Sequence, residues 1–137
     1  MEIQGNIFGK AWNIASWFLD GPTFDHSKRV MLRVFGETDP MVVALLHDFV
    51  EDGGQENALE YLRDAEFPDH IIEAVDAISR REGEVYADYI LRVRENNLAT
   101  WVKLADLGDN LDGRGSPPKP SLQKRYERAR KVLLGLE

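Results

Sequence analysis

The hexapeptide His47-Asp48-Phe49-Val50-Glu51-Asp52 places one imidazole beside three carboxylates. An apolar run over residues 41–46 precedes it, so we expect both to lie on one helix whose first half is buried. At ~100° per residue, the four titratable side chains fall within an arc of about 140°. Clustered carboxylates repel one another unless a cation neutralises them, so the spacing indicates a divalent metal site. The alternative is an exposed helix end with its acids in water and His47 partly buried in the core.

Two residues elsewhere in the chain offer donors of the same kind. Asp106 lies on a predicted helix with Lys103 and Asn110 on the same stripe, and His26 lies near the start of another predicted helix. The chain has no cysteine, so imidazole and carboxylate groups must hold any metal. Two histidines and two aspartates suit Mn²⁺, Fe²⁺ or Zn²⁺ better than Ca²⁺, and they leave coordination positions for water and phosphate.

Apolar residues recur at helical spacing through most of the chain, and no stretch shows the strict alternation of a half-buried strand. We therefore predict an all-α fold of seven or eight helices, in a single domain over residues 1–137. The helix with the His-Asp pair is expected to begin with Asp39 as N-cap and Pro40 at its first helical position, and to run to about Asp52. The other predicted helices span residues 7–19, 24–35, 55–66, 68–80, 86–95, 97–111 and 121–136, with breakers at Asp20-Gly21-Pro22 and a Pro-rich loop over residues 113–120.

Length and charge limit the class of protein. The chain of 137 residues has the size of one domain, and no apolar run approaches the ~20 residues of a membrane helix. The first residues lack a secretory pattern, so we expect a soluble, cytoplasmic protein without a membrane partner. The 17 Lys and Arg against 24 Asp and Glu give a net charge of −7, which argues against duplex nucleic acid as a partner. A small phosphorylated ligand remains compatible, because a metal and a few local cations outweigh the mean field at short range.

The order and spacing of these motifs resemble the HD superfamily of metal-dependent phosphohydrolases. More narrowly, they are similar to the hydrolase domain of the RelA/SpoT homologues, including the small alarmone hydrolases and the metazoan SpoT homologues. The similarity spans about residues 10–112 and consists of His26, His47-Asp48 with Glu51-Asp52, Val102-Lys103-Leu104-Ala105-Asp106 with Asn110, and the segment 79–93 between the second and third motifs. The resemblance implies that His26, His47, Asp48 and Asp106 bind Mn²⁺, and that Glu51 and Asp52 position and activate the attacking water.

The same resemblance implies a substrate. The family removes the 3′-diphosphate of guanosine tetraphosphate or pentaphosphate as pyrophosphate, some members act on NADPH, and Asn110 would contact the nucleoside. Arg80 and Arg81 are candidates to bind the phosphates, because a guanidinium fork matches phosphate geometry. The alternative for this pair is a solvated helix end with salt bridges to Glu82 and Glu84. Tyr86 would stack on a base or pack against the protein.

Two departures from the family pattern leave other substrates open. The alarmone hydrolases carry a basic segment that helps to hold guanine, whereas residues 17–23 contain no Arg or Lys, and Leu107-Gly108-Asp109 replaces a basic residue, a leucine and often an aromatic residue or histidine. The second hypothesis is therefore an HD nucleotidase or phosphatase acting on a dNTP, a nucleoside monophosphate or NADPH. The third is a non-catalytic nucleotide-binding module, against which the intact Glu51-Asp52 pair argues. A homo-oligomer is compatible with the sequence.

The remaining histidine, the tryptophans and the basic C-terminal residues have structural explanations. We expect His70 on the surface and the tryptophans in the core: Trp12, Trp17 and Trp101. The last helix is expected to present a solvated basic face or, as the alternative, a patch that attracts anionic nucleotides or meets another subunit: Lys124, Arg125, Arg128, Arg130 and Lys131.

Overall fold

The computed structural model describes residues 3–113 and 118–137, and within these ranges it contains helices and no strand. The helices are α1 (Ile3–Phe18), α2 (Gly21–Arg33), α3 (Thr38–Leu46), α4 (Phe49–Asp52), α5 (Ala58–Asp64), α6 (Asp69–Ile78), α7 (Tyr86–Arg94), α8 (Asn97–Asp112) and α9 (Pro120–Leu133). If the single turn α4 is counted with α3, the described residues form eight helices, which confirms the predicted all-α fold. Most of the predicted loop over residues 113–120 lies outside the described residues.

None of the helices in the described part of the chain is long and apolar enough to cross a membrane.

The third predicted helix is interrupted at its most informative point, so its predicted extent from Asp39 to Asp52 was wrong. Glu37, not Asp39, occupies the N-cap position, and α3 ends at Leu46. His47 and Asp48 form a turn, in which the Ala44 carbonyl accepts hydrogen bonds from both the backbone N–H and Nδ1 of His47. The imidazole therefore uses the carbonyl that would otherwise continue the helix.

Helix α3 lies at the centre of the molecule and packs against α1, α2, α6 and α8. Its residues Val42, Val43, Ala44, Leu45 and Leu46 are all 0% exposed. Burying a Val or Leu side chain stabilises the fold by about 1.5–3 kcal/mol. The turn that carries His47 and Asp48 is therefore held at the end of the most thoroughly buried helix.

The segment Asp20-Gly21-Pro22 ends one helix and starts the next. The Asp20 carboxylate caps α2 by accepting a hydrogen bond from the Thr23 backbone N–H at 2.8 Å. Helix α2 consequently begins at Gly21, three residues earlier than predicted. This cap fixes the register of the helix that carries His26.

Of the three tryptophans predicted to lie in the core, only Trp12 packs against it, and Trp12 is half-buried. Trp12 packs edge-on against Phe24, with ring centroids 5.2 Å apart. Trp17 is 82% exposed and Trp101 is 43% exposed. The buried stripe of α1 runs through Ala11, Ile14 and Ala15 and leaves Trp17 to one side, because apolar neighbours in sequence do not lie on the same face of a helix.

Candidate metal centre

His47 is held with one ring nitrogen aimed at a cluster of carboxylates. Its side chain is 3% exposed, and its Nδ1 lies 2.6 Å from the Ala44 carbonyl oxygen. A carbonyl can only accept, so Nδ1 carries a hydrogen, and in the neutral ring the lone pair lies on Nε2. That Nε2 is buried without a hydrogen-bond partner, although carboxylate oxygens of Asp48 and Asp106 lie 3.3 Å away.

His26 reaches the same point from α2. Its Nε2 lies 2.7 Å from Oδ1 of Asp106 and 4.0 Å from Oδ2 of Asp48. One donor atom from each of His26, His47 and Asp48 lies within 4.8 Å of the other two. Helix α8 supplies Asp106 at the edge of this cluster, and its side chain is 7% exposed. The structure thus brings together all four residues predicted to hold a metal.

These residues fit a divalent cation. Two imidazole nitrogens and two carboxylates form a donor set that first-row divalent metals accept. A buried polar atom without a partner costs about 1–3 kcal/mol, and an ion at the centre of the cluster would satisfy Nε2 of His47. The cluster of His26, His47 and Asp48 could therefore hold a metal ion.

The carboxylates change the pKa values of both histidines. Burial acts to lower the pKa of His47, but the charges of Asp48 and Asp106 raise it to about 9. Burial also acts to lower the pKa of His26, and its hydrogen bond and charge interaction with Asp106 raise it above the ordinary value. Each imidazole must give up a proton before it can coordinate an ion.

Lys103 and Asp106 form a buried ion pair behind the cluster. The Lys103 ammonium donates to Oδ2 of Asp106 at 2.8 Å, and the two side chains are 11% and 7% exposed. Burial acts to raise the pKa of Asp106, but the charges of Lys103 and His47 hold it well below its usual range. Asp106 is therefore an anion at neutral pH, with its Oδ1 directed at the histidines.

Glu51 lies beside the cluster, on the single turn α4. Its Oε2 accepts a hydrogen bond from the Arg80 backbone N–H at 3.0 Å. Partial desolvation raises the pKa of Glu51; this hydrogen bond lowers it and the Asp48 charge raises it, and the net shift is upward. A carboxylate with a raised pKa accepts a proton more readily near neutral pH, as a general base must.

Asp52 follows on the same turn and is exposed. Desolvation and the charge of Asp48 raise its pKa. Unlike Glu51, it does not line the cavity over the cluster.

A cavity of about 310 Å³ opens over the cluster. The predicted substrate-binding residues Arg80, Tyr86 and Asn110 line it, together with Glu51. Arg81 does not: its guanidinium donates to Asp76 at 3.3 Å, and its backbone N–H donates to Glu84. Of the two arginines, only Arg80 thus lines this cavity. Arg81 forms a surface ion pair, as in the alternative interpretation, but with Asp76 instead of Glu82 or Glu84.

The loop that carries Arg80 is fixed by an ion pair between Glu84 and Arg92. Arg92 donates to both carboxylate oxygens of Glu84, at 2.8 and 2.9 Å, and to the Ser79 carbonyl at 2.8 Å. Arg80 in turn donates through Nε to the Glu84 carbonyl at 3.0 Å. The position of Arg80 in the cavity therefore depends on Arg92 in the last turn of α7 as well as on the end of α6.

Helix α9 contributes two residues to the cavity wall that the sequence did not single out as site residues, Arg125 and Tyr126. The Arg125 guanidinium lies 4.4 Å from the centre of the Tyr86 ring, and that of Arg80 lies 5.3 Å from it. The Tyr86 hydroxyl is buried without a hydrogen-bond partner. The basic composition of α9 was visible in the sequence, but which of its cations faces the cavity depends on how the helix packs.

His70 is exposed, lies 2.8 Å from Oδ2 of Asp39 and is not among the residues described as lining the cavity over the cluster. The prediction that it is a surface residue is confirmed.

No protein-family model matches the chain, and no curated protein matches it at a significant level.

Proposed function

We propose that this protein is a metal-dependent phosphohydrolase of the HD type that acts on a small phosphorylated nucleotide. One observation carries the proposal: a cluster of His26, His47 and Asp48 that could hold an ion borders a cavity lined by Glu51 and by the cations of Arg80 and Arg125. Such a site combines a place for a metal, a base and phosphate-binding groups. The donor set suits Mn²⁺, Fe²⁺ or Zn²⁺, and the resemblance to the HD family favours Mn²⁺ among them.

A divalent ion in this cluster would supply Lewis acidity towards a phosphoryl oxygen and would lower the pKa of nearby water. Glu51 would accept a proton from an attacking water; its place in the cavity wall beside Asp48 and its raised pKa support this role. Asp52 lies outside the cavity wall, so it would influence the same water only indirectly, through the residues beside it.

Three cations line the cavity of a chain whose net charge is −7: Arg80, Lys103 and Arg125. Lys103 forms an ion pair with Asp106, so the two arginines remain to bind phosphate oxygens. Both guanidiniums lie over the Tyr86 ring, at 5.3 and 4.4 Å from its centre. An anionic group between them would offset the repulsion of two like charges, which supports a substrate with a phosphate or diphosphate.

The first candidate substrate is guanosine tetraphosphate or pentaphosphate, which would lose its 3′-diphosphate as pyrophosphate. Asn110, one turn after Asp106 on the cavity wall, would contact the nucleoside. The second candidate is another nucleotide, a dNTP, a nucleoside monophosphate or NADPH. One observation favours it: none of the residues described as lining the cavity comes from segment 17–23, where the alarmone hydrolases place cations.

The proposal is tested by release of phosphate and pyrophosphate from guanosine tetraphosphate, NADPH, dNTPs and nucleoside monophosphates. Each reaction is run with Mn²⁺, Fe²⁺ or Zn²⁺ and with a chelator. Asp48→Ala removes a metal ligand, and Asp64→Ala, an exposed aspartate on α5, is the matched control. We expect pyrophosphate release from the tetraphosphate that the chelator and Asp48→Ala abolish and that Asp64→Ala leaves intact.

Turnover of a different nucleotide would support metal-dependent hydrolysis and identify a substrate other than the tetraphosphate. Tight nucleotide binding with a metal bound and no turnover of any nucleotide would contradict the proposal and favour a binding module.

A further inference from the structure

A second carboxylate of α8, Asp109, contacts the metal-ligating histidine from the side opposite the cluster. Its Oδ2 lies 2.7 Å from Nδ1 of His26, and its side chain is 3% exposed. Arg29 donates through Nε to both oxygens of Asp109, at 3.0 and 3.1 Å. Burial acts to raise the pKa of Asp109, but the hydrogen bonds from Arg29 and His26 hold it below the ordinary value.

Asp106 and Asp109 are three residues apart, so they project from one face of α8 and hold the two nitrogens of a single imidazole. Asp106 faces Nε2 and Asp109 faces Nδ1, each at 2.7 Å. Both ionised carboxylates can only accept, so each nitrogen of His26 carries a hydrogen when no metal is bound. An ion in the cluster would displace the hydrogen on Nε2, the nitrogen that faces Asp48 and Asp106, whereas Asp109 would keep the hydrogen on Nδ1.

Arg29 makes Asp109 the acceptor in its contact with His26. It lies one turn after His26 on α2, and its hydrogen bonds hold the Asp109 carboxylate ionised and fixed beside the ring. His47 is restrained in the equivalent way by a backbone carbonyl. Both histidines therefore present Nε2 to the cluster, one through Asp109 and the other through the Ala44 carbonyl.

We propose that Asp109, supported by Arg29, is a positioning residue that fixes the tautomer and orientation of His26 and thereby raises the affinity of the centre for a divalent ion. The proposal rests on the metal centre of the proposed function, although it does not depend on which substrate is hydrolysed. A carboxylate behind a ligating imidazole fixes the ring and makes its free nitrogen a stronger donor, and loss of such a partner costs about 10–100-fold in metal affinity.

Tying α2 to α8 is the alternative role for Asp109, and a neighbouring pair allows the two roles to be separated. Arg33 of α2 forms an ion pair with Asp112 of α8, whose side chain is 53% exposed. Asp112 thus joins the same two helices through the same residue types, but it lies outside the described contacts of His26.

The test compares Asp109→Asn with Asp112→Asn in the full chain. The affinity for Mn²⁺ is measured by isothermal titration calorimetry, with thermal unfolding recorded for each variant. We expect Asp109→Asn to weaken Mn²⁺ binding by about 10–100-fold and Asp112→Asn to change it by less than about twofold. Equal affinities of Asp109→Asn and the unchanged chain would overturn the proposal, and so would equal losses in the two variants.

A measurement on the unchanged chain covers the case in which Asp109→Asn does not fold. Long-range ¹H–¹⁵N spectra of the Zn²⁺-loaded protein report which nitrogen of each imidazole carries a hydrogen. We expect His26 to be protonated at Nδ1 and coordinated through Nε2. A hydrogen on Nε2, or coordination through Nδ1, would overturn the role of Asp109.

Neither readout requires turnover. If Asp109→Asn weakens metal binding while no nucleotide is hydrolysed, the positioning role stands and the proposed hydrolase does not. If hydrolysis is observed and metal affinity is insensitive to Asp109→Asn, the reverse holds.

Discussion

The affinity of the centre for a metal ion is expected to rise with pH, because His47 must lose a proton before its Nε2 can coordinate. Asp48 and Asp106 raise the pKa of this imidazole to about 9. At pH 7, two units below this pKa, protonation of His47 therefore weakens the apparent metal affinity about 100-fold, which corresponds to about 2.7 kcal/mol. His26, whose pKa is also raised, adds to the dependence in the same direction.

Isothermal titration calorimetry of the chelator-treated protein with Mn²⁺, from pH 6.5 to 8.5 under argon, measures this dependence. We expect the dissociation constant to fall by roughly tenfold or more per pH unit. Titrations in two buffers with different ionisation enthalpies count the protons released, and we expect about one to two per ion. His70→Gln removes a surface histidine and is the control that should leave the slope unchanged.

The same proton affects the folding of the chelator-treated protein. The folded-state pKa of His47 lies above the unfolded value of 6.5, so its contribution to stability is complete below pH 6.5 and is lost as pH rises to about 9. The urea midpoint of the chelated protein should therefore fall over this window. A metal affinity independent of pH, with no proton released on binding, would refute the reasoning.

Three further predictions concern the base, the cavity wall and the loop that carries Arg80. Glu51→Gln should retain Mn²⁺ binding and reduce kcat by about 10²–10⁴-fold; loss of the metal, measured by calorimetry, would contradict the separation of ligand and base. Arg125→Gln should raise KM for a nucleotide substrate by roughly tenfold, whereas Arg130→Gln, an exposed change on the same helix, should not; equal effects would contradict a specific contact. Glu84→Gln should lower stability by about 1 kcal/mol after solvent screening. The Arg92 contact lowers the pKa of Glu84 to about 2, so this contribution is complete above pH 4.5 and lost as pH falls towards 2, and acid unfolding monitored by circular dichroism should show a shallower limb in the variant.

Periodicity and helix-breaking residues were sufficient to predict the number and order of the helices, because helix formation depends largely on local sequence. The end of α3 was not predictable in the same way. Nothing between Leu46 and Phe49 is Gly or Pro, and the helix stops because the His47 side chain takes the Ala44 carbonyl. The end of α3 therefore depends on the residues packed around His47, and rules based on local sequence do not include them.

The metal ligands could be proposed from residue type and spacing, whereas the residues that support them could not. Asp109 contacts a histidine 83 residues earlier in the chain, and its role follows from the packing of α2 on α8. The same limit applies to Arg125, which reaches the cavity only through the packing of α9, and to Arg81, which was indistinguishable from Arg80 in the sequence. Trp17 shows the converse error, since local apolar context was taken for burial.

The contact between His26 and Asp106 joins positions 80 residues apart, and this separation gives a bound ion a mechanical role. An ion held by both residues would act as a reversible cross-link across most of the chain, present only after α8 has packed against α2. Binding confined to the folded state stabilises it by about 2.7 kcal/mol at an ion concentration 100 times the dissociation constant. Resistance to proteolysis should therefore follow the supply of metal.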